Sequence, residues 1–273
     1  MKAVAELLDL SGKAAIVTGG AAGIGLGISR RLAEAGASVL IADIDGEGAR
    51  LAAKELSGEG YRAEGMTADV ADEFDVRDVI DAAVHLFGRI DILVNNAGIY
   101  PNLPLGQLEP DSFDRVVAVN LRGVYLFTKF AAELMKKQGH GGRIINVTSI
   151  DALHPSMIGL AAYDATKHGV WGFTKNAAAE LAPHGIGVNA VAPGGVITPG
   201  TQDMIDEGAH RTGEARTGEA RTGEAQAAFL AKIPMRRMGE PDEIGKVVLF
   251  LASDMASYMT GSQVVVDGGA LLS

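Results

Sequence analysis

The sequence of 273 residues contains no cysteine, so it can form neither a disulfide bond nor a thiolate metal site. Positive charge is also in short supply. The chain has 24 Lys and Arg against 34 Asp and Glu, which gives a formal net charge of −10 at pH 7. A surface that binds nucleic acid is basic, so this balance argues against a nucleic-acid partner.

Long apolar runs are missing as well. No stretch approaches the ~18 consecutive apolar residues of a membrane-spanning helix. The first ten residues carry Lys2, Glu6 and Asp9 and have no long apolar core, which is not the pattern of a signal peptide. We therefore expect no membrane partner and a cytoplasmic location, which the lack of cysteine also fits.

What the chain does contain is enough apolar residues, 47%, for one substantial core. Apolar runs predict strands at residues 14–18, 38–42, 90–94, 144–147 and 263–266, and a further strand that ends at 68–70. Helical patterns cover residues 47–56, 73–87, 110–137, 161–181 and 241–252. Strands that alternate with helices predict one α/β domain with a doubly wound parallel sheet and helices on both of its faces.

The first predicted strand runs directly into a glycine-rich turn, Gly19-Gly20-Ala21-Ala22-Gly23-Ile24-Gly25, and a helical pattern follows it. Strand, glycine turn and helix together are typical of a dinucleotide site. Glycines allow the backbone to approach the pyrophosphate, and the helix N-terminus favours its negative charge. The alternative is a tight turn in a core, which the flanking strand and helix make the weaker interpretation.

Asp43 ends the second strand, 24 residues after Gly19. A carboxylate there can accept hydrogen bonds from the adenosine ribose and repel a 2′-phosphate. No Arg or Lys that could bind that phosphate occurs at residues 20–28 or 42–47. We therefore predict NAD(H) rather than NADP(H) as the cofactor. The alternative is that Asp43 caps the next helix, a role that Asp45 could also fill.

Residues 143–175 hold the chemistry around which the chain is organised. Ser149 follows the strand at 144–147, and Tyr163 and Lys167 lie four residues apart on one face of a predicted helix. Lowering a tyrosine pKa by about three units requires roughly 4 kcal/mol, and an ammonium about 4 Å away supplies a similar amount at an effective dielectric of ~20. The trio therefore suits proton transfer to or from an alcohol oxygen. Taken alone, a Tyr-x-x-x-Lys pair is more often a packed aromatic beside a solvated lysine.

Read together, these motifs resemble the classical branch of the short-chain dehydrogenase/reductase superfamily. The resemblance covers residues 10–270, and each motif stands in the family's order and at about its spacing. The matched residues are Thr18, Gly19, Gly23, Ile24, Gly25, Asn95, Asn96, Ala97, Gly98, Asn120, Ser149, Tyr163, Lys167, Pro193 and Gly194.

The resemblance implies a single-domain Rossmann fold with a seven-stranded sheet, a homotetramer, and a small alcohol or ketone substrate without any metal. It implies that Tyr163 is the general acid/base, that Ser149 orients the substrate oxygen, that Lys167 lowers the tyrosine pKa, and that Asn120 holds a relay water. The implied cofactor contacts are Gly19, Gly23, Ile24, Gly25, Asp43, Ile44, Asp69, Val70, Asn96, Ala97, Gly98, Tyr163, Lys167, Pro193, Gly194, Val196 and Thr198.

The substrate side is less determined by the sequence. Asp151 and His154 follow Ser149, so we expect them at the pocket edge, where they would recognise a polyol, a sugar or a hydroxy acid. Tyr100 and Met157, with neighbouring leucines and isoleucines, could equally form an apolar pocket. In the resembled family, the segment that corresponds to residues 198–230 forms a lid over the substrate. In this chain that segment contains three tandem Arg-Thr-Gly-Glu-Ala units. We interpret these units as a tolerated duplication in an exposed loop.

Two rival functions stay open. A reductase of the carbonyl or 3-oxoacyl type that uses NADPH would keep every catalytic residue and contradict only Asp43. A dinucleotide-binding or scaffold protein without activity on the same fold is the other, because a fold alone does not establish function. The presence of Asn120, Ser149, Tyr163 and Lys167 favours catalysis.

Overall fold

The computed structural model describes residues 1–155, 157–201 and 230–272, so most of the predicted lid, including the three repeats, lies outside the described residues. The core of the molecule is a seven-stranded, fully parallel sheet in the order β3-β2-β1-β4-β5-β6-β7. Its strands are β1 (Ala14–Thr18), β2 (Ser38–Asp43), β3 (Ala63–Thr67), β4 (Ile92–Asn95), β5 (Gly142–Val147), β6 (Ile186–Pro193) and β7 (Gln263–Val266).

Helices cover both faces of the sheet, which confirms the predicted doubly wound fold. Those described are α1 (Val4–Leu8), α2 (Gly23–Glu34), α3 (Gly46–Gly58), α4 (Glu73–Phe87), α5 (Pro110–Val117), α6 (Gly123–Gln138), α7 (Ala161–Leu181) and α8 (Pro241–Ala252). Helices α2, α3 and α8 pack on one face, and α4, α6 and α7 pack on the other. Within the parts of the chain that the structure describes, no helix has the length and apolar character needed to cross a membrane.

The first strand shows why each inner strand of a parallel sheet appears in the sequence as an unbroken run of apolar residues. Ile16 and Val17 are both fully buried, but Ile16 packs in one core cluster and Val17 in the other, because successive side chains point to opposite faces. At about 25 cal/mol per Å² of apolar surface, each such side chain contributes roughly 2 kcal/mol of burial free energy. Helices on both faces therefore stabilise a strand that has no polar face.

Several predicted boundaries differ from the structure, three of them near the cleft. The helix predicted over 110–137 is interrupted by a π-helical turn, Ala118–Arg122, which separates α5 from α6. The strand predicted to end at 68–70 ends at Thr67, and β4 starts two residues later than predicted, at Ile92. Apolar periodicity does not report such boundaries, because buried loop residues such as Ala68 and Val70 are as apolar as strand residues.

We predict a large difference between two glycine substitutions on the β3 side of the sheet. A Cβ at Gly65 would lie 2.3 Å from the Ala49 carbonyl oxygen, so Gly65→Ala must push α3 away from β3 and lower the free energy of unfolding by about 1–3 kcal/mol. Gly58, at the end of α3, has no neighbour within 4 Å of an added Cβ. Gly58→Ala should leave the stability unchanged or raise it by up to ~1 kcal/mol. Chemical denaturation of both variants measures this, and equal effects would contradict the close approach at Gly65.

Candidate active site

A cleft of about 410 Å³ lies at the carboxyl ends of the strands, where ligands bind in open parallel sheets. Its lining brings together every residue predicted to contact the cofactor, with Ser149 and Tyr100 at the same end as Tyr163. The predicted contacts in the lining are Gly19, Gly23, Ile24, Gly25, Asp43, Ile44, Asp69, Val70, Asn96, Ala97, Gly98, Tyr163, Lys167, Pro193, Gly194, Val196 and Thr198.

The glycine turn is shaped so that only glycine fits its tightest position. A Cβ at Gly25 would lie 2.0 Å from the Gly19 carbonyl oxygen, and Gly19 itself has φ +61°. The Asn96 side-chain amide donates to the carbonyls of Thr18 and Gly19 at 3.0 and 2.9 Å, so the turn is held against the loop after β4. The turn therefore leads into the N-terminus of α2 with bare backbone facing the cleft, which fits a pyrophosphate.

Asp43 faces this turn and does not cap α3. Its carboxylate accepts one hydrogen bond from the Ala21 backbone N–H and one from the Asp45 N–H, both at 3.0 Å. The α3 cap is Asp45, whose side chain accepts from the Gly48 N–H at 3.0 Å. Of the two interpretations of Asp43 that the sequence leaves open, the geometry favours the one that places a carboxylate in the cleft.

Sequence reasoning missed Arg115, which reaches the same cleft from α5. Its guanidinium forms a 3.0 Å ion pair with Asp69, and both side chains are partly exposed. No sequence signal marks this residue, because Arg115 lies on a helix rather than at a strand end. Across the described residues, no cluster of three or more His, Asp or Glu side chains is arranged to hold a metal ion.

The chemical end of the cleft combines β5 with α7. Ser149 follows β5 and is buried, and Tyr163 of α7 lies next to it in the cleft lining. Lys167, one turn further along α7, donates from Nζ to the Val147 carbonyl at 2.9 Å and lies 5.4 Å from the centre of the Tyr163 ring. The predicted trio therefore converges on one point next to the dinucleotide cleft.

Burial shifts the pKa values of both helical residues. It lowers the pKa of Lys167 to about 8, because a buried ammonium loses its hydration. It also raises the pKa of Tyr163 above its ordinary value, and the Asp151 carboxylate adds to this effect while the nearby Ser149 hydroxyl opposes it. The sequence led us to expect a lowered tyrosine pKa. That expectation weighed the attraction of Lys167 but not the cost of burying a phenolate.

Asn120 lies beneath the cleft rather than in its lining. It sits in the π-helical turn and is fully buried. Its side chain accepts from the Ile99 N–H and donates to the Ile99 carbonyl, both at 2.8 Å, and donates to Thr166 at 3.2 Å. Thr166 in turn donates to the Tyr163 carbonyl at 2.7 Å. Asn120 thus ties the loop after β4 to the helix that carries Tyr163, and its predicted relay water stays a prediction.

Of the four predicted substrate residues, Tyr100 alone is among the described residues that line the cleft, where it packs edge-on against Tyr163 with ring centroids 5.9 Å apart. Asp151 lies behind the lining and accepts a hydrogen bond from the Ser149 hydroxyl at 2.8 Å. His154 and Met157 are exposed and lie outside the lining. The ring of His154 contacts the Pro155 carbonyl at 2.7 Å.

We predict that Lys167→Met raises the stability of the protein at neutral pH. A lysine with a folded pKa of about 8 binds fewer protons in the folded than in the unfolded state between about pH 8 and pH 10.5, so the wild-type stability rises with pH across that window. The advantage of the methionine variant should therefore shrink as the pH rises from about 7 to about 10, by roughly 3 kcal/mol at most.

Denaturation at these two pH values measures the effect, with Lys175→Met as the control. Lys175 lies on the same helix but is exposed and rests over the Trp171 ring. Its replacement should change stability equally at both pH values. If the difference in stability between Lys167→Met and the wild type does not vary with pH, the assignment of a lowered pKa to Lys167 is refuted.

Comparisons with known proteins identify the family of this chain. A protein-family model described as enoyl-(acyl carrier protein) reductase matches residues 19–270. The chain is 37% identical over 265 residues to the 3-oxoacyl-[acyl-carrier-protein] reductase of Thermotoga maritima, covering 97% of this chain and 100% of the relative. It is 40% identical over 261 residues to 3beta-hydroxysteroid dehydrogenase 2 of Eggerthella lenta, covering 95% of each.

The fold comparison is equally extensive. A crystal structure of a short-chain type dehydrogenase/reductase from Mycobacterium marinum superposes with a TM-score of 0.89 and 36% sequence identity, over 98% of this chain and 99% of that chain. Similarity at this level extends over nearly the whole chain and supports the seven-stranded parallel fold.

Proposed function

The chain belongs to the short-chain dehydrogenase/reductase family of oxidoreductases, and we propose that it is an NAD(H)-dependent enzyme that interconverts a secondary alcohol and a ketone. The observation that carries this proposal is the convergence of Ser149, Tyr163 and Lys167 at one end of a cleft built for a dinucleotide. A nicotinamide dinucleotide, which the family binds, would supply or accept the hydride there.

The chain's own residues would then orient the substrate and move one proton. For ketone reduction, the Tyr163 hydroxyl donates its proton to the carbonyl oxygen while the adjacent carbon gains the hydride. The raised pKa of Tyr163 keeps the phenol protonated at neutral pH, which is the form that reduction needs. Ser149 lies beside the same oxygen, and Lys167 places an ammonium below the Tyr163 ring.

The preference for NAD rests on Asp43. Its carboxylate is fixed by two backbone N–H groups at the glycine turn, and the cleft lining has no Arg or Lys beside it. The basic residues in that lining are Arg115, which is paired with Asp69, and Lys167, which lies at the other end. A 2′-phosphate next to Asp43 would therefore meet repulsion without compensation.

The relatives' names favour a second candidate. Two of the similar proteins are named 3-oxoacyl-[acyl-carrier-protein] reductases, so a carrier-bound 3-oxoacyl thioester and NADPH are the principal rival substrate and cofactor. The carboxylate of Asp43 argues against NADPH as the cofactor of this candidate. The partly buried carboxylate of Asp151 next to Ser149 favours a polar substrate such as a polyol, a sugar or a hydroxy acid over an acyl chain.

A spectrophotometric screen of NAD(P)H formation and consumption tests both candidates. NAD and NADP are offered in parallel with polyols, sugars, hydroxy acids, aryl alcohols and a hydroxysteroid, and NADH and NADPH are offered in parallel with a 3-oxoacyl thioester. Turnover with NAD on a polar alcohol is the expected result, whereas turnover only with NADPH on the thioester would replace our proposal with the rival. Binding of NADH without turnover of any substrate would favour the dinucleotide-binding protein without activity.

We also propose a homotetramer packed through α5, α6 and α7. Phe113 on α5 and Tyr125 on α6 support this, because both aromatic side chains are exposed in the single chain. Light scattering coupled to size-exclusion chromatography measures the mass directly, and a monomer would refute the assembly.

A further inference from the structure

A carboxylate lies directly against the Ser149 hydroxyl. Asp151 belongs to the short 3₁₀ turn Ile150–Ala152 that follows β5. Ser149 Oγ donates to Asp151 Oδ2 at 2.8 Å, and the Asp151 backbone N–H donates back to Ser149 Oγ at 3.1 Å. The side chain and the backbone of one residue therefore hold the serine hydroxyl from two directions.

The single proton of the Ser149 hydroxyl limits which hydrogen bonds this residue can donate. A serine hydroxyl has one proton to donate and two lone pairs to accept with. The proton is directed to Asp151, and one lone pair takes the Asp151 N–H. Tyr163 is the other polar group next to Ser149. While the serine proton is directed to Asp151, Ser149 can accept a hydrogen bond but cannot donate one to a phenolate or to a ketone oxygen.

We propose that Asp151 is a positioning residue that controls the Ser149 proton, and that its carboxylate keeps Tyr163 in the protonated, reducing form by withholding that proton. The inference rests on the proposed function for its catalytic meaning, but the hydrogen-bond arrangement stands independently of any substrate. Without the charge, residue 151 offers the serine proton only a weaker, neutral acceptor or none, so the proton becomes available to the phenolate oxygen and Tyr163 should then ionise at a lower pH.

Other ionisable groups face Asp151 and must be separated from it. Helix α7 contributes Asp164, Lys167 and Tyr163, and His154 comes from the same loop as Asp151 itself. Strand β6 also packs on the turn but has no ionisable side chain. Burial raises the pKa of Asp151, and among the charges Asp164 acts in the same direction while Lys167 and His154 oppose it. Asp164 is thus the matched control, since its carboxylate also raises the Tyr163 pKa.

The test is a titration of Tyr163 followed by tyrosinate absorbance, in protein without cofactor or substrate. Each variant is compared with its Tyr163→Phe counterpart, so that the other tyrosines cancel. Asp151→Asn should lower the Tyr163 pKa by about one unit, and Asp164→Asn should lower it by clearly less. If the two substitutions have equal effects, Asp151 acts only as a nearby charge and the proposal fails.

A double-mutant cycle supplies the decisive step. In a Ser149→Ala background there is no serine proton to control, so Asp151→Asn should lose most of its effect on Tyr163. An effect of unchanged size in that background, or no effect in either background, overturns the proposal. Asp151→Ala serves as a second variant should the asparagine protein fold poorly, and it should shift the pKa in the same direction.

Kinetics give a second readout once a substrate is known. The alkaline limb of ketone reduction should move to lower pH in Asp151→Asn by the amount found in the titration, because reduction needs the protonated phenol. The KM for the ketone should fall as the serine becomes free to donate to it. Since the titration requires no turnover, failure of the proposed function and failure of this inference are told apart.

Discussion

Tyr163→Phe should reduce turnover by about three orders of magnitude while dinucleotide binding is largely retained. The substitution removes only the hydroxyl next to Ser149, and it leaves the ring that packs against Tyr100. The loss should appear in kcat and in kcat/KM alike, because a proton donor acts in the transition state rather than in substrate binding. Rates come from the cofactor absorbance, and binding comes from NADH fluorescence.

Tyr100→Phe provides the matched control for this result. Tyr100 lies in the same cleft with its ring centroid 5.9 Å from that of Tyr163, and the substitution removes the same single atom. We expect a change of about tenfold or less in kcat, because in the proposed mechanism Tyr100 lines the substrate end of the cleft but does not donate a proton to the substrate. Comparable losses in the two variants would mean that the proton comes from elsewhere, and turnover by Tyr163→Phe near the wild-type rate would remove its assigned role.

The second large effect concerns the choice between the two cofactors. Asp43→Asn is nearly isosteric and retains an oxygen that can accept from Ala21 or Asp45, but it removes the negative charge. Two unit charges about 5 Å apart repel by roughly 3 kcal/mol at an effective dielectric of ~20. We therefore expect the ratio of kcat/KM for NAD to that for NADP to fall by about two orders of magnitude.

Asp45→Asn is the appropriate comparison, because Asp45 lies in the same turn and caps α3. Asparagine caps helices about as well as aspartate, so this variant should keep both its stability and its cofactor ratio. A wild-type protein that already prefers NADP, or an Asp43→Asn variant with an unchanged ratio, would show that the carboxylate does not select the cofactor.

Local sequence patterns predicted the fold well, for a reason visible in individual elements. Helices α4, α7 and α8 and strands β1 and β7 have the predicted bounds, because the apolar period and the turn residues next to them are local properties of the chain. The π-helical turn at Ala118–Arg122 was not predicted, since its apolar pattern continues that of α5 and α6 without a break. Asn120 occupies this turn, and only the folded chain places it against Ile99 and Thr166.

The sequence by itself determined which residue types end each strand and share the face of α7, and a parallel sheet brings all strand ends to one edge. That was sufficient to predict the dinucleotide cleft and the Ser149, Tyr163 and Lys167 trio. The tertiary structure decided the electrostatics. Hydrogen-bond partners and desolvation depend on groups that are distant in the chain or brought together by a turn. The Ser149 proton is directed to Asp151, and burial raises the Tyr163 pKa where attraction by Lys167 alone would lower it.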